Sequence, residues 1–172
     1  YVHLGNTALE DGLMKNTLDH VVGTRVEPLI AVFIHSDPEN RGDTRSPAYY
    51  QMVTEELVPM IDAKYSTIES RSGRASIGSG GAANPALITA FGNSELFGRV
   101  AAQSATIGFF GPAPFDQMVQ GADEQPMTIY LDWGTYDLRS PHEAWDMAAD
   151  SRDAFTMLRE RGYKTACIGK WH

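Results

Sequence analysis

The sequence has little cysteine, no long apolar run and no cluster of positive charge, and each absence removes a class of protein. A single cysteine, Cys167, cannot close an internal disulfide, so no disulfide framework holds this chain together. That fits a reducing compartment without excluding export. The longest wholly apolar stretch, Leu29 to Ile34, has six residues, far short of the roughly 20 that a membrane helix needs and of the apolar part of a signal peptide. Lys and Arg total 14 against 22 Asp and Glu, a formal charge of -8 with no local basic cluster. Nucleic-acid backbones and membrane surfaces are therefore not expected partners. Metal-ligand spacings are missing as well: there is no H-E-x-x-H and no C-x-x-C, and the five histidines are scattered. No metal or other cofactor is expected.

What is present is an ordinary globular composition. The chain has 172 residues, 42% hydrophobic and 21% charged, enough for one domain with its own core and too few for two large ones. The expected chain is soluble, cytoplasmic or exported, and its composition does not fix an oligomeric state. It starts at Tyr1 rather than Met and stops at Trp171-His172 directly after an expected strand, which reads as a fragment.

Short apolar runs alternate with helical patterns. Leu29 to Ile34 follows Pro28 and reads as a strand covered on both faces. Ser46-Pro47 supplies a helix N-cap and first-turn proline, and Tyr49, Met52, Val53, Leu57, Met60 and Ile61 recur at helical steps, with a kink expected at Pro59. Further strands are expected at Arg74 to Ile77, Val100 to Ser104, Met127 to Asp132 and Thr165 to Ile168, and a helix over about Ala82 to Phe91. Ile107 to Gln125 reads as a long loop. Ser140-Pro141-His142-Glu143 has the form of a capping box opening a helix that buries Trp145, Ala148, Phe155 and Leu158 and ends at Gly162. The order predicts an α/β fold with a mostly parallel sheet, flanking helices and its functional edge at the carboxyl ends of the strands.

The glycine-rich step Gly78-Ser79-Gly80-Gly81 between strand and helix admits three readings. It is a tight turn that uses glycine for positive φ, a phosphate-binding loop, or a nucleophile elbow of the G-x-S-x-G kind. The phosphate-loop patterns themselves are absent.

The motif order then resembles a family. Leu29 to Ile34, Glu55-Glu-Leu-Val-Pro-Met-Ile61 with Tyr65, Arg74-Ala75 ahead of Gly78, Glu95-Leu-Phe-Gly98 and Val100-Ala-Ala-Gln-Ser104 are similar to the esterase D and enterochelin-esterase-like group of α/β-hydrolases. Its patterns include R-A-I-x-G-x-S-x-G-G. The resemblance runs from about residue 1 to 164, which is expected to be a partial α/β-hydrolase domain, incomplete at both ends. It implies hydrolysis of a small-molecule carboxylic ester, of a siderophore or an acylated carbohydrate, through an acyl-enzyme.

Aligned without gaps, the family's nucleophilic serine falls on Gly80, which has no side chain to attack a carbonyl. Ser79 stands one position early and is the displaced candidate; Ser76 would serve only after a register slip. In a tight bend, one residue moves a hydroxyl by several ångströms, enough to lose the hydrogen bond of about 2.6–3.2 Å to a base. The expected product is a weak or inactive homologue, with a noncatalytic binding domain of the same fold as the alternative. Asp137, in the pattern G-x-x-D from Gly134, is the candidate acid, and Asp132 a residue that hydrogen-bonds loop backbone. Gly5, Gly80 and Gly81 are the candidate substrate-binding residues, Gly5 standing where the family has its D-G pair near the oxyanion hole. Trp133 and Tyr136 could line a cleft, although core packing explains them as well.

The histidine base of the resembled family follows the last strand; within this chain His20 and His142 have simpler explanations as packing or surface residues, while His3 lies near the first strand and His35 just after the second, at the functional edge of the sheet. The tail Gly162 to His172 resembles a sulfatase segment, G-Y-x-T-x-x-x-G-K-W-H, in which the lysine and histidine, here Lys170 and His172, contact sulfate. The C/S-x-P-x-R sequence that sulfatases need is absent, so residues 165–172 are expected to be a last strand with a sulfatase-like tail, and a sulfatase fragment is the second alternative reading.

Overall fold

The computed structural model describes residues 1–35, 44, 46–107, 114–121, 123–134, 137, 139–140 and 145–163. Five parallel strands form its centre: β1 (Val2–His3), β2 (Phe33–Ile34), β3 (Ala75–Ser79), β4 (Arg99–Gln103) and β5 (Thr128–Asp132), in the order β2-β1-β3-β4-β5. The expected α/β-hydrolase-type sheet is therefore present, and the crossovers between successive strands carry its helices.

Strand alternation sorts the side chains into two faces. The register pairs Ser76 with Val100 and Gly78 with Ala102, then Val100 with Ile129 and Ala102 with Leu131. The β3 and β4 members of these rows are buried beneath α5 (Ala83–Gly92), whose Ala83, Ala86, Leu87 and Ala90 are wholly inaccessible. On the opposite face, Ser79, Gln103 and Asp132 are mutually in register at the carboxyl edge.

The first two helices, α1 (Gly5–Glu10) and α2 (Met14–Val21), connect β1 to β2. Gly5 has no room for a side chain, because a Cβ there would lie 2.7 Å from the Phe33 carbonyl carbon. Its glycine lets α1 ride directly on β2. The strand expected over Leu29 to Ile34 is corrected: only Phe33–Ile34 pairs, and Leu29 and Ile30 stand half exposed. β2 is an edge of the sheet, so this run is covered less than a central strand would be.

The Ser46 helix forms as expected, with the Ser46 hydroxyl accepting from the Tyr49 amide at 3.2 Å. Proline alters its middle rather than ending it. Between α3 (Pro47–Gln51) and α4 (Val58–Lys64), Met52–Leu57 winds as a π-helix in which the Val58 amide donates to the Val53 carbonyl. The wider turn accommodates a Pro59 ring that has no amide and would clash with the preceding turn.

Two expectations fail on local signals. Within the expected loop from Ile107 to Gln125 lies α6 (Pro114–Gly121), fixed by Phe115 and Val119, one turn apart and both buried. Phe115 meets Phe91 edge to face at 5.5 Å. Ser140 does not cap the last helix. It belongs to β6 (Arg139–Ser140), which pairs antiparallel with β7 (Trp145–Asp146), so Trp145 is in a strand rather than the helix. The helix α7 (Met147–Glu160) starts at Asp146, whose carboxylate accepts from the Ala149 amide at 2.9 Å. It ends, as expected, at Gly162 with φ +93°. Among the described residues, no helix is long and apolar enough to cross a membrane.

Candidate functional site

The site is built where β3 stops. Ser79 is still extended, with φ -125° and ψ 143°, and the chain then turns at Gly80, φ +57°, into the short 3-10 turn Gly80–Ala82 that opens α5. The positive φ sits at the apex of a sharp strand-to-helix turn, the position from which an elbow presents its nucleophile. A Cβ built on Gly80 or Gly81 meets nothing within 4 Å, whereas one on Gly78 would lie 2.0 Å from the Ala82 carbonyl oxygen. The three glycines thus do different work: Gly78 lets the helix entry close onto the strand, and Gly80 and Gly81 leave the apex open.

A cavity of about 310 Å³ lies beside this turn, at the carboxyl ends of β1, β3 and β4. Its walls include Leu4, Ala8 and Met14 from the α1–α2 side and Ser79 and Gln103 from the sheet. Ser79 is exposed, and its hydroxyl has no hydrogen-bond partner among the described residues. Gly5, although one residue from Leu4 in this wall, is itself buried against β2.

The acids are both engaged. Asp132 accepts from the Ser104 amide at 3.1 Å and from the Tyr130 hydroxyl at 2.9 Å, with the Gln103 amide 3.5 Å away. The expectation that it ties down loop backbone therefore holds, and the bond to its carboxylate raises the Tyr130 phenol above its ordinary value. Asp137 closes its own turn, accepting from the Gly134 amide at 2.8 Å. Trp133 packs edge to face on Phe155 at 5.9 Å, a core contact. Thr135, Tyr136, His142, Cys167, Lys170, His172 and the expected strand from Thr165 to Ile168 lie outside the described residues.

The histidines divide cleanly. His20 is exposed on α2, and His35 is exposed just after β2, two strands from β3. His3 is buried, with Nδ1 2.7 Å from the Tyr49 hydroxyl and Nε2 2.9 Å from the Ser76 hydroxyl. Ser76 is also fully buried and donates to the Ala86 carbonyl at 3.1 Å. His3 and Ser76 therefore have the look of a serine–histidine pair, but although His3 lines the cavity, the Ser76 hydroxyl is shut away from it. No local signal announces that His3 and Ser76 meet; both face the covered side of the sheet, a consequence of strand parity and register. Arg74 anchors the other end of β3 through an ion pair with Asp62 at 2.5 Å. No group of three or more metal-ligating side chains occurs among the described residues.

A parallel sheet with a glycine apex after its central strand and a cleft at the strand carboxyl ends defines an α/β-hydrolase-type fold. The family model described as "Putative esterase" matches residues 1–165, and the chain belongs to that family. Among solved structures it is similar to a ferulic acid esterase, with a TM-score of 0.66 and 18% identity over 96% of this chain and 72% of that one. It is also similar to the enterobactin esterase FES from Shigella flexneri in the presence of 2,3-di-hydroxy-N-benzoyl-serine, with a TM-score of 0.74 and 16% identity over 93% of this chain and 44% of that one. The chain thus spans under half the length of that esterase. No curated protein matches it by sequence.

Proposed function

We propose that the chain is a carboxylic ester hydrolase homologue of the enterochelin and carbohydrate esterase kind whose elbow lacks the nucleophilic serine. It is then weakly active or inactive, and keeps its cleft for a small-molecule ester or acylated carbohydrate. The observation that carries this reading is Gly80: the apex has the positive φ of a nucleophile position, open space above it and no side chain. In this reading the backbone of Gly80 and Gly81 faces the substrate, Gly5 seats α1 against β2 behind the cleft wall, Ser79 is a hydroxyl at that wall, and Asp137 keeps the place of the orienting acid.

Ser79 decides between a missing and a displaced nucleophile. Its backbone is extended and it precedes the turn, so its hydroxyl leaves β3 beside Gln103 rather than from the apex. Turnover of p-nitrophenyl acetate by the parent chain is expected to equal that of Ser79→Ala within about twofold. A fall of about 100-fold in Ser79→Ala, on the scale of a lost catalytic group, would instead identify Ser79 as the nucleophile. Saturable binding of an ester without turnover would favour the noncatalytic domain, for which the cleft without a nucleophile is the supporting observation.

A further inference from the structure

We infer that Tyr49, His3 and Ser76 form an acid-sensitive clamp beneath the elbow, tying α3, β1, β3 and α5 together while His3 is neutral and releasing them when it takes up a proton. The clamp is a separate device from the cleft chemistry, although the elbow it supports is the one on which the proposed function rests.

The direction of each bond follows from its last member. The Ala86 carbonyl can only accept, so the Ser76 hydroxyl donates to it at 3.1 Å. Ser76 then accepts from the His3 Nε2–H at 2.9 Å, and the bare Nδ1 accepts from the Tyr49 hydroxyl at 2.7 Å. One neutral tautomer satisfies every group in the chain. A second proton on His3 would put an N–H at Nδ1, facing a hydroxyl that must then give up its own donation. It would also place a cation on a side chain only 2% exposed.

Ser76 itself stands where the pattern R-A-I-x-G has isoleucine, so a polar chain occupies a position otherwise apolar. Its bond to Ala86 reaches across from β3 to the first half of α5, six residues beyond Gly80. Loosening it loosens the seat of the elbow.

Among the described residues, the groups facing His3 include no acid bonded to it that would hold the charge. From α3 comes the Tyr49 phenol, with Tyr50 beside it; from β3 and α5 come the Ser76 hydroxyl and the Ala86 carbonyl; two residues before His3 stands the Tyr1 amino group, which burial itself pulls down from 8.0 to about 6. From the α1–α2 turn, exposed Asp11 lines the same cavity as His3 but makes no bond to it among the described residues. Burial first, and the Tyr1 amino group second, pull the imidazole down from 6.5 to about 3.

The sign follows by linkage. The unfolded chain binds the proton first, so the folded state loses stability as pH falls below 6.5, and the loss continues toward pH 3. Each pH unit in that window costs up to about tenfold in the folded-to-unfolded ratio.

The test compares the parent chain with His3→Leu/Ser76→Ile, in urea unfolding from pH 7.5 to 4.5. Relative to the double variant, the parent's folding constant is expected to stay level above pH 6.5 and to fall by about 100-fold by pH 4.5. A ratio that does not change with pH overturns the clamp. Should the variant not fold, nitrogen chemical shifts of His3 in the parent decide: a neutral ring protonated on Nε2 down to pH 4.5 supports it, and titration near 6.5 or the opposite tautomer overturns it. Backbone amide shifts of Ser79 and Gly81 should hold steady over the same range and move only below it, as His3 takes up its proton. A failure of Gly80→Ser to react with a serine probe would bear on the esterase reading alone.

Discussion

Gly80→Ser is expected to convert a chain that a phosphonate probe leaves unmodified into one that carries a single adduct, at residue 80. The apex already has the backbone an elbow needs, φ +57°, and a Cβ there has no atom within 4 Å to displace. Holding an L-residue in that region costs about 1–2 kcal/mol, so the variant should melt a few degrees lower while gaining the adduct. Turnover is expected to rise less than acylation. Among the described histidines, His3 has both nitrogens engaged below the sheet, while His20 and His35 are exposed on α2 and after β2. General-base assistance is worth about 10²–10⁴ in rate, and a serine without it acylates slowly. Intact-mass spectrometry after incubation, followed by peptide mapping, reads the outcome. An adduct on Ser79 in the parent, or none at residue 80 in a folded Gly80→Ser, would sink the view that the elbow's backbone is intact and lacks its attacking atom.

How far the sequence could be read depended on the range of each signal. The strand-helix order, the Ser46 cap and the Gly162 stop are written in neighbouring residues, and they appear where expected. Gly80 was placed by aligning motifs over some twenty residues, and the bend lies there. Signals with two local solutions failed. Ser140-Pro-His-Glu143 satisfies a capping rule, yet Asp146 caps α7, because a carboxylate three residues before Ala149 serves equally well and the β6–β7 pair holds Ser140 elsewhere. Proline and glycine around Phe115 and Val119 hid a helix that exists because those two side chains reach the core beside Phe91. The His3–Ser76 bond spans 73 positions and depends on which face each strand turns inward. Composition and periodicity carry no such information. The acid is the intermediate case: the G-x-x-D spacing that nominated Asp137 is also the spacing by which its carboxylate closes on the Gly134 amide.

Gly78 gives the sharpest test of the elbow's construction, because the same substitution three residues later is expected to do almost nothing. In Gly78→Ala the new methyl would lie 2.0 Å from the Ala82 carbonyl oxygen and 2.4 Å from its carbon. These are backbone atoms at the entry to α5, and they cannot swing aside as a flexible side chain would. The helix must lift from the sheet. With it goes the packing of Ala83, Ala86, Leu87 and Ala90 over β3 and β4, where Gly78 and Ala102 stand in register. A cost of about 3 kcal/mol or more follows from such overpacking, a large fraction of the 5–15 kcal/mol that usually holds a domain of this kind together. A chain of this length should then melt roughly 6–12 °C lower, or fail to fold. Gly81→Ala adds the same methyl where nothing lies within 4 Å and no positive φ is required. Its melting temperature should stay within about 2 °C of the parent, or rise as the unfolded chain loses freedom. Thermal unfolding followed by circular dichroism separates the two, and equal melting temperatures for both variants would mean that β3 and α5 do not meet as closely as the elbow requires.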